Sequence, residues 1–91
     1  SCNLFDSESR CFLYLGSLGV NYKIEEICQF ILDNENYSLD CFGSGSKENI
    51  VKEYLFISKG RINLYEPKSL DFFKNSEKKY CFGFGPQLAP S

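Results

Sequence analysis

The chain has 91 residues, of which 43% are hydrophobic and 24% are charged, and its formal net charge is −2 at pH 7. This length fits one small domain over residues 1–91, and the apolar content excludes an intrinsically disordered chain. No apolar run approaches the length of a transmembrane helix. The absence of histidine excludes an imidazole general base and the usual Cys/His zinc patterns.

The cysteines and the absence of methionine bear on the cellular compartment. The cysteine count is odd, no pair is spaced Cys-x-x-Cys, and no secretory signal opens the chain. We interpret the chain as a fragment of an intracellular protein, cytoplasmic or nuclear, with reduced and mostly buried thiols. The alternative is a small secreted domain stabilised by disulfides. The five cysteines are Cys2, Cys11, Cys28, Cys41 and Cys81.

The first half of the chain predicts a strand, a helix and a second strand. Residues 10–20 are rich in aromatic and aliphatic side chains and contain two glycines, which favours a strand. Residues 22–34 carry apolar side chains at i, i+3, i+4 and i+7, the pattern of an amphipathic helix. Residues 37–42 predict a short strand. The helical stripe consists of Ile24, Ile27, Cys28 and Ile31.

A glycine-serine tract separates the two halves. Residues 43–46 read Gly-Ser-Gly-Ser, which is the composition of a flexible linker. We interpret it as an engineered insertion, with a natural glycine-rich turn as the alternative. The chain is acidic before this tract and basic after it, so the two halves are expected to attract each other.

The second half predicts antiparallel strands. Residues 53–58 and 61–66 form a predicted hairpin, because Gly60 between them can adopt the positive φ of a tight turn. A short apolar piece follows at residues 70–74, and residues 79–85 form the last predicted strand before a tail at 86–91. The predicted fold is therefore α+β: a strand and an amphipathic helix, then an antiparallel meander of about four strands.

A second arrangement of the same sequence is a winged helix. Residues 7–18, 22–34 and 47–57 would then be three helices, and residues 60–84 would form the wing. Such domains often read nucleic acid. The third helix would carry an acid for every base, whereas phosphate contacts require unopposed cations, so nucleic acid is not the expected partner.

The N-terminal strand carries a family resemblance. Residues 11–20, Cys-Phe-Leu-Tyr-Leu-Gly-Ser-Leu-Gly-Val, resemble the first strand of phosphotyrosine-binding domains, and the predicted order of elements over residues 11–86 is similar to the phosphotyrosine-binding and pleckstrin-homology superfold. The resemblance implies an antiparallel, barrel-like sandwich that serves as a scaffold. The family's phosphopeptide groove has no counterpart here, so no phosphotyrosine-binding residue is implied.

These patterns predict a non-catalytic interaction or scaffolding module without a cofactor or a metal. The open edge at residues 79–85 invites an added strand from another protein or a second copy. A phosphoinositide contact at the turn of residues 58–61 is a weaker hypothesis. The predicted partner-binding residues, each of which could instead belong to the core, are Phe30, Tyr80, Phe82 and Phe84.

Overall fold

The computed structural model describes residues 4–88 as a four-stranded sheet with two α-helices. The strands follow the order β3-β2-β1-β4, and all neighbours are parallel. The predicted mixture of helices and strands is confirmed, but the antiparallel meander is wrong. The elements are β1 (Cys11–Leu15), α1 (Ile24–Asp33), β2 (Ser38–Phe42), α2 (Glu48–Ile57), β3 (Ile62–Tyr65), a 3₁₀ turn (Leu70–Phe73), β4 (Phe82–Phe84) and a second 3₁₀ turn (Pro86–Leu88).

The meander prediction failed because a helix occupies the place of one of its strands. Residues 53–57 of the strand predicted at residues 53–58 belong to α2, and Ser58 is the C-cap of that helix. Parallel neighbours need a long crossover between them, and α2 supplies the crossover from β2 to β3. Lys59 and Gly60 do adopt positive φ, but they end α2, where Gly60 N–H donates to Leu55 O, instead of turning a hairpin.

The strand-like composition of the end of α2 has a structural cause. The run Tyr54–Ile57 is continuously apolar, but Phe56 and Ile57 are exposed and Val51 is the buried residue of the helix. The apolar residues of α2 are therefore not confined to the i, i+3, i+4 spacing by which an amphipathic helix is recognised. The winged-helix alternative placed a helix at residues 47–57, yet that fold is also wrong because β1 is a strand.

The first face of the sheet is covered by both helices. Alternate strand residues point to it, among them Tyr14 of β1 and Leu39 of β2, and meet the buried stripe of α1. The predicted amphipathic helix and the first two strands are thus confirmed. The helix and the second strand are slightly shorter than predicted, whereas the first strand, predicted over residues 10–20, spans only Cys11–Leu15. The buried residues of this core are Tyr14, Leu18, Ile24, Cys28, Ile31, Leu39, Cys41, Val51 and Ile62.

The second face is covered by irregular chain. The connection from β3 to β4 crosses this face and places Phe73 edge-on against Phe42, with ring centroids 5.0 Å apart. Leu13 and Leu15 of β1 lie beneath it. Because β1 is buried on both faces, its sequence is a continuous apolar run, as expected for the centre of a parallel sheet.

The glycine-serine tract forms the connection between β2 and α2. Ser44 O accepts from Leu18 N–H at 2.9 Å, and Gly45 N–H donates to the Glu48 carboxylate at 2.9 Å. A Cβ atom at Gly43 would overlap the backbone oxygen of Gly16. These residues therefore pack closely against the loop that follows β1.

The cysteines of the described chain are Cys11, Cys28, Cys41 and Cys81, and all four are free thiols. Cys2 lies outside the described residues. Within residues 4–88, neither α-helix has the length and apolar character needed to cross a lipid bilayer.

Arg61 stabilises the end of α1, and its replacement by alanine should destabilise the domain. The last turn of α1 has no basic residue; instead the Arg61 guanidinium donates to Ile31 O at 2.7 Å and to Tyr37 O at 2.8 Å. Charge-assisted bonds of this kind are each worth about 1.5–3 kcal/mol, so Arg61→Ala should lower the free energy of unfolding by about 2 kcal/mol in urea titrations. Lys52→Ala, at an exposed helical lysine, is the control; equal effects of the two changes would refute the capping role.

Buried thiols should make the domain sensitive to alkaline pH. Burial raises the pKa of Cys28 and of Cys41 to about 12, above the value of about 8.5 in an unfolded chain. Folding therefore keeps its full stability below pH 8.5 and loses about 1.4 kcal/mol per pH unit for each thiol between there and pH 12.

The double variant Cys28→Ala/Cys41→Ala tests this assignment. Its free energy of unfolding should fall less steeply between pH 8.5 and pH 11 than that of the wild type, whatever its absolute value. Burial also raises the pKa of the partly exposed Cys81, so Cys81→Ala should flatten the slope less than the double variant does. An unaltered slope in the double variant would show that the core thiols are not responsible.

Candidate interaction site

Three of the four predicted partner-binding residues meet on the first face of the sheet, beside β4. Phe84 lies 5.6 Å from Phe12, centroid to centroid, and Phe12 stacks on Phe30 at 5.8 Å. Phe82 meets Phe84 edge-on at 5.1 Å. We call Phe12, Phe30, Phe82 and Phe84 the aromatic patch.

The aromatic patch is open to solvent because no helix covers β4 on this face. Phe82 is 58% exposed and Phe30 is 45% exposed. Between them, Phe12, Ile27 and Phe84 line an apolar groove of about 290 Å³. Exposed, contiguous aromatic side chains of this kind are typical of surfaces that bind another macromolecule.

Tyr80, the fourth predicted residue, lies on the opposite face. It is 2% exposed, and its hydroxyl donates to the Asp40 carboxylate at 2.9 Å. Strict alternation from Tyr80 to Phe82 predicted a shared face, but the chain bends at Cys81. Cys81 N–H already donates to Cys11 O at 2.8 Å, whereas Phe82 is the register partner of Phe12. The bend reverses the side-chain direction.

Phe12, at the centre of the patch, was not predicted as a site residue. Its position in the apolar run of β1 is also that of a core residue, and nothing local distinguishes the two. The informative signal is the contrast between two neighbouring strands. β1 is a mostly buried strand of five residues, whereas β4 is a Phe-Gly-Phe strand of three residues. An edge strand beside a central one leaves the central strand's side chain partly uncovered.

The predicted open edge is much shorter than residues 79–85. Tyr80 is already paired on its outer side, since its N–H donates to Leu4 O and its C=O accepts from Asp6 N–H. At the other end Pro86 has no N–H and begins a 3₁₀ turn. Among the described strands, β4 has only β1 as a neighbour.

Gly83 carries the free part of this edge. The even-numbered residues of β1 bond towards β2, because Arg10 O accepts from Ser38 N–H and Gly16 N–H donates to Phe42 O. Leu13 therefore faces β4, and in a parallel pair it bonds to the neighbours of its register partner, Gly83. The N–H and C=O of Gly83 itself point away from the sheet.

Opposite charges flank the two ends of the aromatic patch. At the amino end of β1, the Arg10 guanidinium lies 5.6 Å above the Tyr37 ring, which in turn contacts Phe12 at 5.3 Å. At the carboxyl end, Glu26 in the first turn of α1 lines the groove. The patch is therefore positive at one end and negative at the other.

The carboxyl edge of the sheet, where parallel α/β folds usually bind ligands, is closed by its own loops. A Cβ atom at Gly16 would overlap the Pro86 ring, and one at Gly85 would overlap the backbone of Leu15. Glu25 and Glu26 lie at the start of α1, where they oppose a bound anion. No cluster of metal-ligating side chains occurs in the part of the chain that the structure describes.

Other apolar surface is present but lacks this organisation. Phe56, on α2, is 83% exposed and has no described aromatic neighbour. On the second face, Leu4, Leu70 and Leu88 line a groove of about 450 Å³ beside Phe5. Neither combines stacked rings with a free strand edge.

Comparisons with known proteins give no relative. No protein-family model matches the chain, and no curated protein and no solved structure matches it. The resemblance to phosphotyrosine-binding domains therefore stays a prediction, while the antiparallel sandwich that it implies differs from the parallel sheet observed.

Tyr80 has a structural contact that separates it from the patch. Asp40 is buried and accepts from Tyr80 Oη and, at 2.7 Å, from Lys78 Nζ. Burial and the Asp40 charge raise the pKa of Tyr80, so its hydroxyl stays a donor. Tyr80→Phe should lower the free energy of unfolding by about 1–3 kcal/mol, because it removes a hydrogen bond from a buried carboxylate.

Tyr54→Phe is a matched control for this prediction. The Tyr54 hydroxyl donates to Gln29 Oε1 at 3.0 Å in an exposed position, so its loss should cost less than about 0.5 kcal/mol. Both values come from chemical denaturation at pH 7. Equal costs for Tyr80→Phe and Tyr54→Phe would show that the buried carboxylate does not depend on Tyr80.

Proposed function

We propose that this domain is a non-catalytic protein-protein interaction module that binds a polypeptide on the aromatic patch. The observation that carries the proposal is the clustering of four phenylalanine rings, two exposed and two half-buried, around a groove at the β4 edge. Within residues 4–88 no strand pairs with the outward N–H and C=O of the adjacent Gly83, and an extended segment can align with these two groups.

The energetics of the patch support a protein ligand. Burying a phenylalanine side chain stabilises a complex by about 1.5–3 kcal/mol, and aromatic residues are prominent among binding hot spots. Two backbone bonds at Gly83 contribute little affinity, but they set the direction of the bound segment. A partner must therefore supply apolar side chains above all.

The distribution of basic side chains argues against nucleic acid as the ligand. Lys47, Lys74 and Lys78 pair with carboxylates at 3.0, 3.1 and 2.7 Å, and the Arg61 guanidinium is engaged by backbone carbonyls. Phosphate binding depends on unopposed cations. The turn at residues 58–61 is the hypothetical phosphoinositide contact. Its Arg61 guanidinium is bound to backbone carbonyls and is therefore not available to a phosphate group.

A displayed library of random 12-residue peptides tests the proposed function. Selection against the immobilised wild-type domain should return peptides rich in aromatic and aliphatic residues. Their affinity, measured by fluorescence anisotropy, should fall at least tenfold in Phe30→Lys and in Phe82→Lys, because each change puts a charge into the apolar patch.

Phe56→Lys is the matched control, since it changes an exposed phenylalanine outside the patch. Its affinity for the selected peptides should equal that of the wild type. Circular dichroism of all three variants checks that they stay folded. The proposal fails if no peptide is selected, or if the selected peptides bind Phe30→Lys and Phe82→Lys as well as they bind the wild type.

A further inference from the structure

We propose that the polypeptide bound at the aromatic patch carries a lysine or arginine beside its apolar residues, and that Glu26 recognises this cation. The inference rests on the proposed function and names the chemistry of the partner. Besides the apolar side chains of Phe12, Ile27, Phe30 and Phe84, the groove is lined by one charged residue, Glu26.

The two glutamates in the first turn of α1 differ in their surroundings. The Glu25 carboxylate accepts from Lys47 Nζ at 3.0 Å, so its charge is already paired within the domain. Glu26 is exposed, and in the part of the chain that the structure describes it forms no ion pair, not even with Lys23 one turn earlier. The charge of Glu26 is therefore available to a ligand.

The helix places this charge beside the rings of the patch. Glu26 and Phe30 are four positions apart in α1, so they lie on one face of the helix with about 5–6 Å between their Cβ atoms. Phe30 in turn stacks on Phe12 at 5.8 Å. A side chain that lies in the groove beside Ile27 and Phe84 therefore has apolar contacts along its length and the Glu26 carboxylate at one end.

Lysine and arginine fit such a groove better than other side chains. Their aliphatic stems pack on apolar surface while the charged group stays at the edge, where it can meet Glu26. A ligand that covers the groove also removes water from the carboxylate, and a cation offsets this cost whereas an apolar side chain does not. A phosphorylated segment or an anionic lipid surface would bring like charge to Glu26.

The cation at the other end of the patch does not select the charge of a ligand in the same way. The Arg10 guanidinium donates to the Tyr37 hydroxyl at 3.3 Å and lies over the Tyr37 ring. Arg10 is also not among the residues that line the groove. The expected selectivity therefore depends on Glu26 and a basic residue of the partner.

The peptides selected against the wild-type domain provide the first test. They should share a lysine or arginine at a fixed distance from an aromatic or aliphatic residue. Replacing that basic residue by glutamate in a selected peptide should lower its affinity about tenfold in fluorescence anisotropy, because the new carboxylate meets Glu26. Selected peptides without a shared basic position would overturn the inference.

A charge exchange between domain and peptide tests the contact itself. Glu26→Lys should weaken the basic peptide about tenfold and should restore the affinity of the glutamate-substituted peptide. Glu53→Lys makes the same change of net charge at an exposed glutamate of α2, outside the patch. Its effect on either peptide should be less than about twofold at physiological salt, where distant charges are screened. Circular dichroism checks that both variants stay folded.

Failure of this inference is distinguishable from failure of the proposed function. Selected peptides that require Phe30 and Phe82 but bind Glu26→Lys as tightly as the wild type overturn the role of Glu26 and leave the interaction module in place. Equal effects of Glu26→Lys and Glu53→Lys would show that net charge, and not a contact in the groove, selects the basic peptides, and they also overturn the inference. A domain that selects no peptide overturns both proposals.

Discussion

The burial of β1 on both faces is the constraint on which the rest of the structure depends. Every residue of Cys11–Leu15 is apolar or aromatic, and the strand has a parallel neighbour on each side. Such a strand requires cover above and below. The helices supply the first cover, because the crossovers from β1 to β2 and from β2 to β3 contain one helix each. The second cover must come from the chain between β3 and β4.

That second cover is irregular, and a buried carboxylate holds it in place. Asp40 points to the face opposite the helices, where Lys78 and Tyr80 bond to it. An unpaired buried charge would cost several kcal/mol, so the pairing fixes the returning chain against the sheet. The hydrogen bond and charge of Asp40 outweigh the burial of Lys78 and raise its pKa. From this anchor the chain bends at Cys81 into β4.

Local patterns in the sequence correctly predicted the elements whose own residues form one well-buried surface. The stripe of α1 and the apolar runs of β1 and β2 correspond to single, strongly buried surfaces, and these elements were identified. The prediction failed where burial is incomplete, at α2, whose exposed Phe56 and Ile57 imitate a strand. That one error turned a parallel sheet into an antiparallel one, because strand direction depends on what lies between strands. Of the predicted partner-binding residues, Phe30, Phe82 and Phe84 belong to the aromatic patch, whereas the bend at Cys81 sends Tyr80 to the other face.

The candidate site lies beside β4 because the loops at the carboxyl ends of the strands close that edge of the sheet. Glycine positions let the loops at the carboxyl ends of the strands pack together, since a Cβ atom at Gly16 or Gly43 would overlap a neighbouring loop. That packing fills the crevice in which related architectures hold small ligands. The chain then returns to the far side of β1 as β4, a strand of three residues. No described helix covers β4 on the first face. A partly uncovered aromatic surface beside Gly83 is the result, and it is the surface on which the proposed polypeptide partner would bind.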